Sequence, residues 1–233
     1  MMAGSRPPFT DFPGVKSLYY CRLRPHPAHA LDGECCHLAG EERLLETVFD
    51  LRFQLRPQSF FQVNAFQAER LYLAVLEALE ITGEETALDA YCGAGTITLA
   101  LAKRCKRVTG VEMVRPAILD ARQNARCNGL ENRVRFVLGD AAKEIPRLVA
   151  EGERFDIAVL DPPRKGADPR VLEAIVKASP AKLAYISCEP ATLARDLKLL
   201  CKSGYRLDFA KQLDMFAYTC HVETIVLLQR KTL

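Results

Sequence analysis

Cys188 stands in Ser187-Cys188-Glu189-Pro190, after the apolar run Leu183 to Ser187 and before a helical stretch. A cysteine at the carboxyl end of a strand and the start of a helix is partly exposed and feels the helix N-terminus. Both conditions favour the thiolate, which is the nucleophilic form. The bland alternative is an inert core thiol, the usual fate of a cysteine. Asp161 ends another apolar run in Asp161-Pro162-Pro163-Arg164. Two prolines fix φ and remove two backbone donors, giving a rigid floor that projects Asp161 into a site. Glu223 opens the otherwise apolar strand Ile225-Val226-Leu227-Leu228. If buried, such a carboxylate would have a raised pKa and suit a general base; otherwise it is a solvated strand end.

A second set of residues has the pattern of a nucleoside pocket. Asp89-Ala90-Tyr91-Cys92-Gly93-Ala94-Gly95 is a glycine-bearing strand-to-helix turn, where missing Cβ atoms let backbone approach a ligand. Glu112 follows Gly93 by nineteen residues, the spacing at which an acidic side chain reaches ribose hydroxyls. The third glycine of the dinucleotide fingerprint is replaced by Thr98, so a pyrophosphate has a poorer cradle than a nucleoside without phosphates. Asp140 ends a further strand, near the expected adenine edge; it serves equally well as a helix N-cap. Cys92 lies inside the glycine turn and is expected to pack beneath it.

The elements that must position these residues are legible as alternating strands and helices. Strands are expected at 87–92, 108–111, 134–138, 155–160, 183–187, 205–213 and 222–229, and helices at 116–128, 141–150, 169–178 and 192–202. A further helix runs from the glycine turn to about Cys105. This is an α/β pattern: a mainly parallel seven-stranded sheet with helices on both faces, closed by a C-terminal antiparallel hairpin because nothing helical separates the last two strands. In such folds ligands bind beyond the carboxyl ends of the strands. Upstream, 47–64 reads as strand material by period-two alternation, 65–79 as a helix, and about the first 44 residues as loop-rich. The expected division is a partial accessory segment over 1–80 and a catalytic domain over 81–233.

Composition narrows the classes. Hydrophobic residues form 49% and charged residues 26% of 233, a globular balance, and no apolar run is long enough for a membrane span. Met1 to Pro13 lacks the apolar core of a signal peptide, and Asp11 argues against a transit peptide, so a cytoplasmic location is expected. Nine cysteines without CxxC pairs or paired histidine spacings imply no metal site, and they are expected to be reduced thiols. A net charge of +3 neither demands nor excludes a nucleic-acid partner.

Five motifs occur in order: Ser59-Phe60-Phe61-Gln62-Val63-Asn64, Asp89 to Thr96, Asp161-Pro162-Pro163-Arg164-Lys165-Gly166, Ser187 to Asp196, and His221-Val222-Glu223-Thr224. Together they closely resemble the RNA uridine (uracil-C5) methyltransferase family, over about residues 38 to 230, with the 23S ribosomal-RNA branch closer than the transfer-RNA branch. The resemblance implies a Rossmann-like class I methyltransferase fold and S-adenosyl-L-methionine as cofactor, held by Gln62, Tyr91, Thr96, Glu112, Asp140 and Asp161. It implies Cys188 as nucleophile, Glu223 as the proton-abstracting base and a single-stranded or loop uridine in RNA as substrate. Glu189 departs from the family's Asn or Asp. The family's N-terminal RNA-binding barrel and four-cysteine iron–sulfur motif are not recognisable, so no cluster is expected in this chain. Arg164, Lys165 and Arg195 could contact phosphates or be plain solvated charges. Rival readings are a non-catalytic RNA- or cofactor-binding fragment, an amino-group or small-molecule methyltransferase on the same fold, and a nicotinamide oxidoreductase.

Overall fold

The computed structural model describes residues 14–26, 31–219 and 222–231. The leader-peptide reading of Met1 to Pro13, together with Cys220 and His221, lies outside the described residues. Eleven strands and six helices follow one another among the described residues. They are β1 (Ser17–Leu23), β2 (Gly33–Gly40), β3 (Leu44–Val48), β4 (Leu51–Leu55), α1 (Ala65–Leu79), β5 (Thr86–Asp89), α2 (Thr96–Ala102), β6 (Arg107–Glu112) and α3 (Arg115–Cys127). After these come β7 (Val134–Leu138), α4 (Ala141–Ala150), β8 (Ile157–Leu160), α5 (Pro169–Ala178), β9 (Lys182–Ser187), α6 (Pro190–Lys202), β10 (Tyr205–Asp214) and β11 (Val222–Arg230).

Seven strands form one sheet in the order β10-β11-β9-β8-β5-β6-β7, with β5 to β9 parallel and β10 and β11 antiparallel. The α/β expectation is met, hairpin included. Alternation along the buried strands divides the core between the two faces. Ala87 of β5 faces the cluster containing α1, α2 and α3, and Leu88 faces the cluster containing α4, α5 and α6. The chain leaves β5 in one direction through β6 and β7 and returns on the other side through β8 and β9. The switch point, where open sheets of this type form a crevice, therefore lies between β5 and β8. Among the described residues no helix is long and apolar enough to cross a membrane.

Two upstream expectations need correcting. Residues 17–23 and 33–40 are not loop but the antiparallel pair β1–β2. Their side chains are largely exposed or only part-buried, so no apolar period marks them. The 47–64 strand is instead the hairpin β3–β4, followed by an irregular segment from Arg56 to Asn64. Phe49 turns at φ 57° between the strands, and the two-residue turn shifts the buried parity from Val48 to Leu51, Phe53 and Leu55; the apolar Phe49 in the turn continues the odd-numbered alternation and hides the break in the sequence. The cysteines are also not all reduced. Cys21 and Cys35 stand opposite each other in the β1–β2 ladder and are joined as a disulfide. Fourteen residues of sequence separation gave no sign of that pairing. Cys36, Cys92, Cys105, Cys127, Cys188 and Cys201 are free thiols.

Helix α3 fastens the upstream hairpin to the sheet by a polar ladder that periodicity does not reveal. Asp120 Oδ2 accepts the Arg56 N–H at 2.8 Å and the Ser59 hydroxyl at 2.7 Å. Asn124 Oδ1 accepts the Gln54 N–H at 2.7 Å, and Asn128 Oδ1 the Arg52 N–H at 2.9 Å. Four residues of helix rise about 6 Å and two residues of strand about 6.7 Å, so every fourth helix residue meets every second strand residue. Asn124 Nδ2 also donates to the Ala94 carbonyl at 3.0 Å, reaching the glycine turn. Asn124→Ala would leave a buried N–H and a buried carbonyl unpaired, at a cost of about 2–4 kcal/mol. A lowered urea midpoint with an unchanged m-value is the expected result.

Candidate active site

The glycine turn follows β5 at the switch point. Gly93 (φ 53°) and Gly95 (φ 90°) adopt the left-handed conformation that favours glycine. A Cβ on Gly93 would lie 4.0 Å from the Phe60 carbonyl, so the Ser59–Asn64 segment runs alongside the turn. Gln62 in that segment is buried, and Asn64 caps α1 by accepting the Gln67 N–H at 3.2 Å. Gln62 also lines a cavity of about 750 Å³ with Tyr19, Arg56 and Phe61, which does not include Cys188, Asp161 or Glu223.

Glu112, at the end of β6, accepts the Gly93 N–H at 3.1 Å through one oxygen and the Val114 N–H at 2.7 Å through the other. The nineteen-residue spacing thus does bring this carboxylate to the turn. Thr96 is the buried first residue of α2. Tyr91 is half-buried, and burial, with the nearby Asp168 and Asp140 charges, holds its phenol up at about 12 against a backbone hydrogen bond from Asp168. Asp140 is exposed and caps α4, accepting the Ala142 N–H at 3.0 Å, so the N-cap alternative is realised in the geometry. Cys92 is buried under the turn: a Cβ on Gly110 would lie 2.9 Å from its Sγ, and burial pushes its thiol well up.

One residue of this pocket escaped the reading of the sequence. Asp89 is fully buried at the tip of β5; its Oδ2 accepts the Thr98 hydroxyl at 2.6 Å, while Oδ1 has no hydrogen-bond partner. Burial pushes its carboxyl up to about 6. The signal was present, since Thr98 occupies the place of a glycine. A hydroxyl there anchors the acid nine positions earlier.

The chemical residues converge at the same end of the sheet. Thr224 of β11 pairs with Ser187 of β9, where that antiparallel ladder ends, so Glu223 and Cys188 leave it at the same end. Leu160 of β8 pairs with Tyr185, which brings Asp161 to the neighbouring strand end. Asp161 is partly buried, and burial, then the charges of Glu223 and Asp89, push its carboxyl up to about 8. Glu223 is 8% exposed, and burial raises its pKa too, opposed by the Arg164 charge.

Cys188 is half-buried at the start of α6, but its thiol is raised, not lowered. Burial and the Glu223 and Asp161 charges outweigh the lowering charge and hydrogen bond of Arg164. The expectation of a lowered thiol is therefore corrected: burial, and then two carboxylates that no local pattern ties to Cys188, push it up. Glu189, the residue that departs from the family pattern, turns its carboxylate onto the Ala191 N–H at 3.3 Å as the N-cap of α6. Arg195 is no free phosphate clamp: it donates to the Lys165 and Ala167 carbonyls and to Asp196.

The site therefore gathers Asp89, Glu112, Asp161 and Glu223 around a glycine turn, with Arg164 the cation that acts on Cys188 and Glu223. A ligand carrying positive charge would relieve that imbalance, and the Gly93 turn, where an added Cβ would meet nothing nearer than the Phe60 carbonyl at 4.0 Å, leaves steric room for one. S-adenosylmethionine, a nucleoside with a sulfonium and an ammonium group, fits these residues.

Comparison with known proteins agrees with that chemistry. The sequence profile described as tRNA (uracil-5-)-methyltransferase matches residues 41–231. An uncharacterized RNA methyltransferase of Halalkalibacterium halodurans is 44% identical over 220 residues, covering 94% of this chain and 48% of the relative. One of Clostridium tetani is 43% identical over 218 residues, covering 94% and 47%. The crystal structure of Pyrococcus abyssi tRNA (uracil-54, C5)-methyltransferase in complex with S-adenosyl-L-homocysteine superposes with a TM-score of 0.77 at 31% identity, covering 97% of this chain and 54% of that one. The chain spans about half the length of the curated relatives it matches. With the family profile spanning most of the chain and a relative 44% identical over 94% of it, this chain belongs to the tRNA (uracil-5-)-methyltransferase family.

Proposed function

We propose that this chain methylates carbon 5 of a uridine in RNA, using S-adenosylmethionine and a covalent adduct between Cys188 and the uracil ring. The reading is carried by one observation: the β9–β11 ladder ends at Thr224–Ser187, so that Glu223 and Cys188 leave it at the same end, where the Glu223 charge acts on the Cys188 thiol, beside Asp161. Gln62, Tyr91, Thr96, Glu112, Asp140 and Asp161 are the residues we assign to the cofactor. When bound, it supplies the methyl group.

Carbon 5 of uracil is a poor nucleophile. Addition of the Cys188 sulfur to carbon 6 breaks the conjugation of the ring and gives an enolate that is nucleophilic at carbon 5. The thiol must first lose its proton, and the Arg164 guanidinium is the group beside it that stabilises the anion. Once carbon 5 is methylated, Glu223 takes the proton from that carbon and the Cys188–carbon 6 bond breaks. Burial, which raises the Glu223 pKa, makes it a stronger base than an exposed carboxylate. A base in a duplex cannot reach such a site, so the uridine is expected in a loop or single strand. Phe60, Val63 and Phe66 are exposed beside the Gln62 segment and suit unstacked bases.

We assign residues 81–233 to catalysis and 1–80 to an accessory role, and ribosomal RNA as substrate on the wording of the motifs. Transfer RNA is the second reading, favoured by the similarity to the Pyrococcus abyssi enzyme. Methyl transfer to unmodified 23S ribosomal RNA and to unmodified transfer RNA, assayed side by side, separates the two. RNA carrying 5-fluorouridine, which has no carbon-5 proton to lose, should trap the wild-type chain as an adduct that survives denaturing electrophoresis. Cys188→Ala is expected to abolish it; an undiminished adduct removes Cys188 from the mechanism.

A further inference from the structure

We propose that the first two turns of α6 are a positioning device: Thr192 and Asp196, with Tyr185 of β9, hold the Arg164–Ala167 loop so that the Arg164 guanidinium stays on the Cys188 sulfur. The inference rests on Cys188 being the nucleophile. Cys188 leads directly into α6, so the nucleophile and the loop that carries its cation are referred to one helix.

The Thr192 hydroxyl lies 3.1 Å from the Arg164 carbonyl and 3.1 Å from the Glu189 carbonyl, and its proton is shared between them. It therefore ties the backbone of Arg164 to the backbone of the residue after Cys188. One turn on, Asp196 is 2% exposed. Its Oδ2 accepts the Ala167 N–H at 2.9 Å and the Tyr185 hydroxyl at 2.6 Å, and its Oδ1 accepts from Arg195 Nε at 2.8 Å. Arg195 Nη2 in turn donates to the Lys165 carbonyl at 3.1 Å. Three stations of the loop, at residues 164, 165 and 167, are thus fixed by side chains of α6 and by Tyr185, fully buried in the sheet three residues before Cys188.

The fourth station explains a glycine. Gly166 closes the turn by donating its N–H to the Pro163 carbonyl at 2.8 Å, and it sits at φ 79°. A Cβ there would come within 2.4 Å of Arg195 Nη2 and 2.8 Å of Asp196 Oδ2, so the loop can seat on the clamp only without a side chain. Pro162 and Pro163 stiffen the other arm. What this rigidity serves is the balance at Cys188. Burial opposes ionisation of the thiol, as do Glu223 from β11 and Asp161 from the end of β8; Arg164, from the clamped loop, favours it; and the Glu189 carboxylate beside it is engaged with the helix N–H. A cation that drifts loses most of its effect within a few ångströms, because solvent enters between the charges.

The test reads the thiol itself and needs no RNA. The rate of iodoacetamide alkylation at Cys188, followed by mass spectrometry of its peptide across pH 6–10, gives an apparent pKa in the full chain. Arg164→Ala sets the reference. Thr192→Val and Asp196→Asn are each expected to shift the profile alkaline by about one unit, lowering the rate near neutrality about tenfold. In the Arg164→Ala background they should add nothing, because the cation they position is gone. An unshifted profile in folded Thr192→Val overturns the proposal, as does an equal shift with and without Arg164. Thr192→Val keeps the test decisive if Asp196→Asn fails to fold. Should the 5-fluorouridine adduct test reject Cys188 as nucleophile, alkylation would still report whether the clamp governs this thiol.

Discussion

Glu223→Gln is expected to accumulate a covalent RNA–protein complex on ordinary, unfluorinated substrate. Glutamine keeps the size and hydrogen-bonding of the buried side chain at the end of β11 but cannot accept the carbon-5 proton. Addition of Cys188 and methylation would then proceed while elimination stalls. Loss of a positioned base costs about 10²–10⁴ in turnover. The denaturation-resistant band should rise as kcat falls. The wild-type pH profile carries the matching signature. Burial raises the Glu223 pKa, and both Glu223 as base and Cys188 as nucleophile act deprotonated, so turnover climbs with pH through their raised values. Glu223→Gln turning over at wild-type rate, or losing activity without any trapped complex, would exclude the base role.

Asp161→Asn is expected to stabilise the cofactor-free protein in alkaline buffer while weakening the cofactor. Burial, reinforced by the Glu223 and Asp89 charges, raises this carboxyl from an ordinary 3.8 to about 8. A carboxyl whose folded pKa lies above its unfolded value favours the fold fully only below the unfolded pKa. That stability is lost as pH climbs from about 4 to about 8 and the buried group must charge. Asparagine removes the penalty. Its advantage should be absent near pH 4, grow to pH 8 and then level at about 1–3 kcal/mol, after discounting for partial exposure. The same change removes an anion from the site proposed for a cationic cofactor, and affinity for S-adenosylmethionine should fall about 10–100-fold. Melting temperature against pH, with and without the cofactor, measures both. A variant no more stable than wild type at pH 8 would mean that Asp161 carries no such strain.

The five site motifs, the order of elements from β5 onward and the bounds of α1, β7, α4 and α5 are all legible in the chain. Those features are local. A strand's apolar period and the turn that ends it together decide which residue stands at the carboxyl end, so the chain alone assigns Asp161 and Cys188 to strand ends. The Gln62 and Thr96 assignments came from resemblance alone, since neither residue type nor spacing singles them out. The polar hairpin β1–β2 was missed because a largely exposed strand carries no apolar period, and the Cys21–Cys35 pair was missed with it.

Sequence by itself determined the α/β fold, the family and the short set of groups able to do chemistry, because each of these is written in nearest-neighbour patterns of about three to ten residues. The tertiary structure alone decided what state those groups are in. Burial, and then Glu223 from a strand 35 positions onward, push the Cys188 thiol up rather than down. Asp120 binds the Arg56 N–H across 64 positions, and Arg195 donates to a loop 30 positions away. Coulomb energy and hydrogen bonding depend on distances of a few ångströms between residues remote in the chain, and only the packed sheet sets those distances.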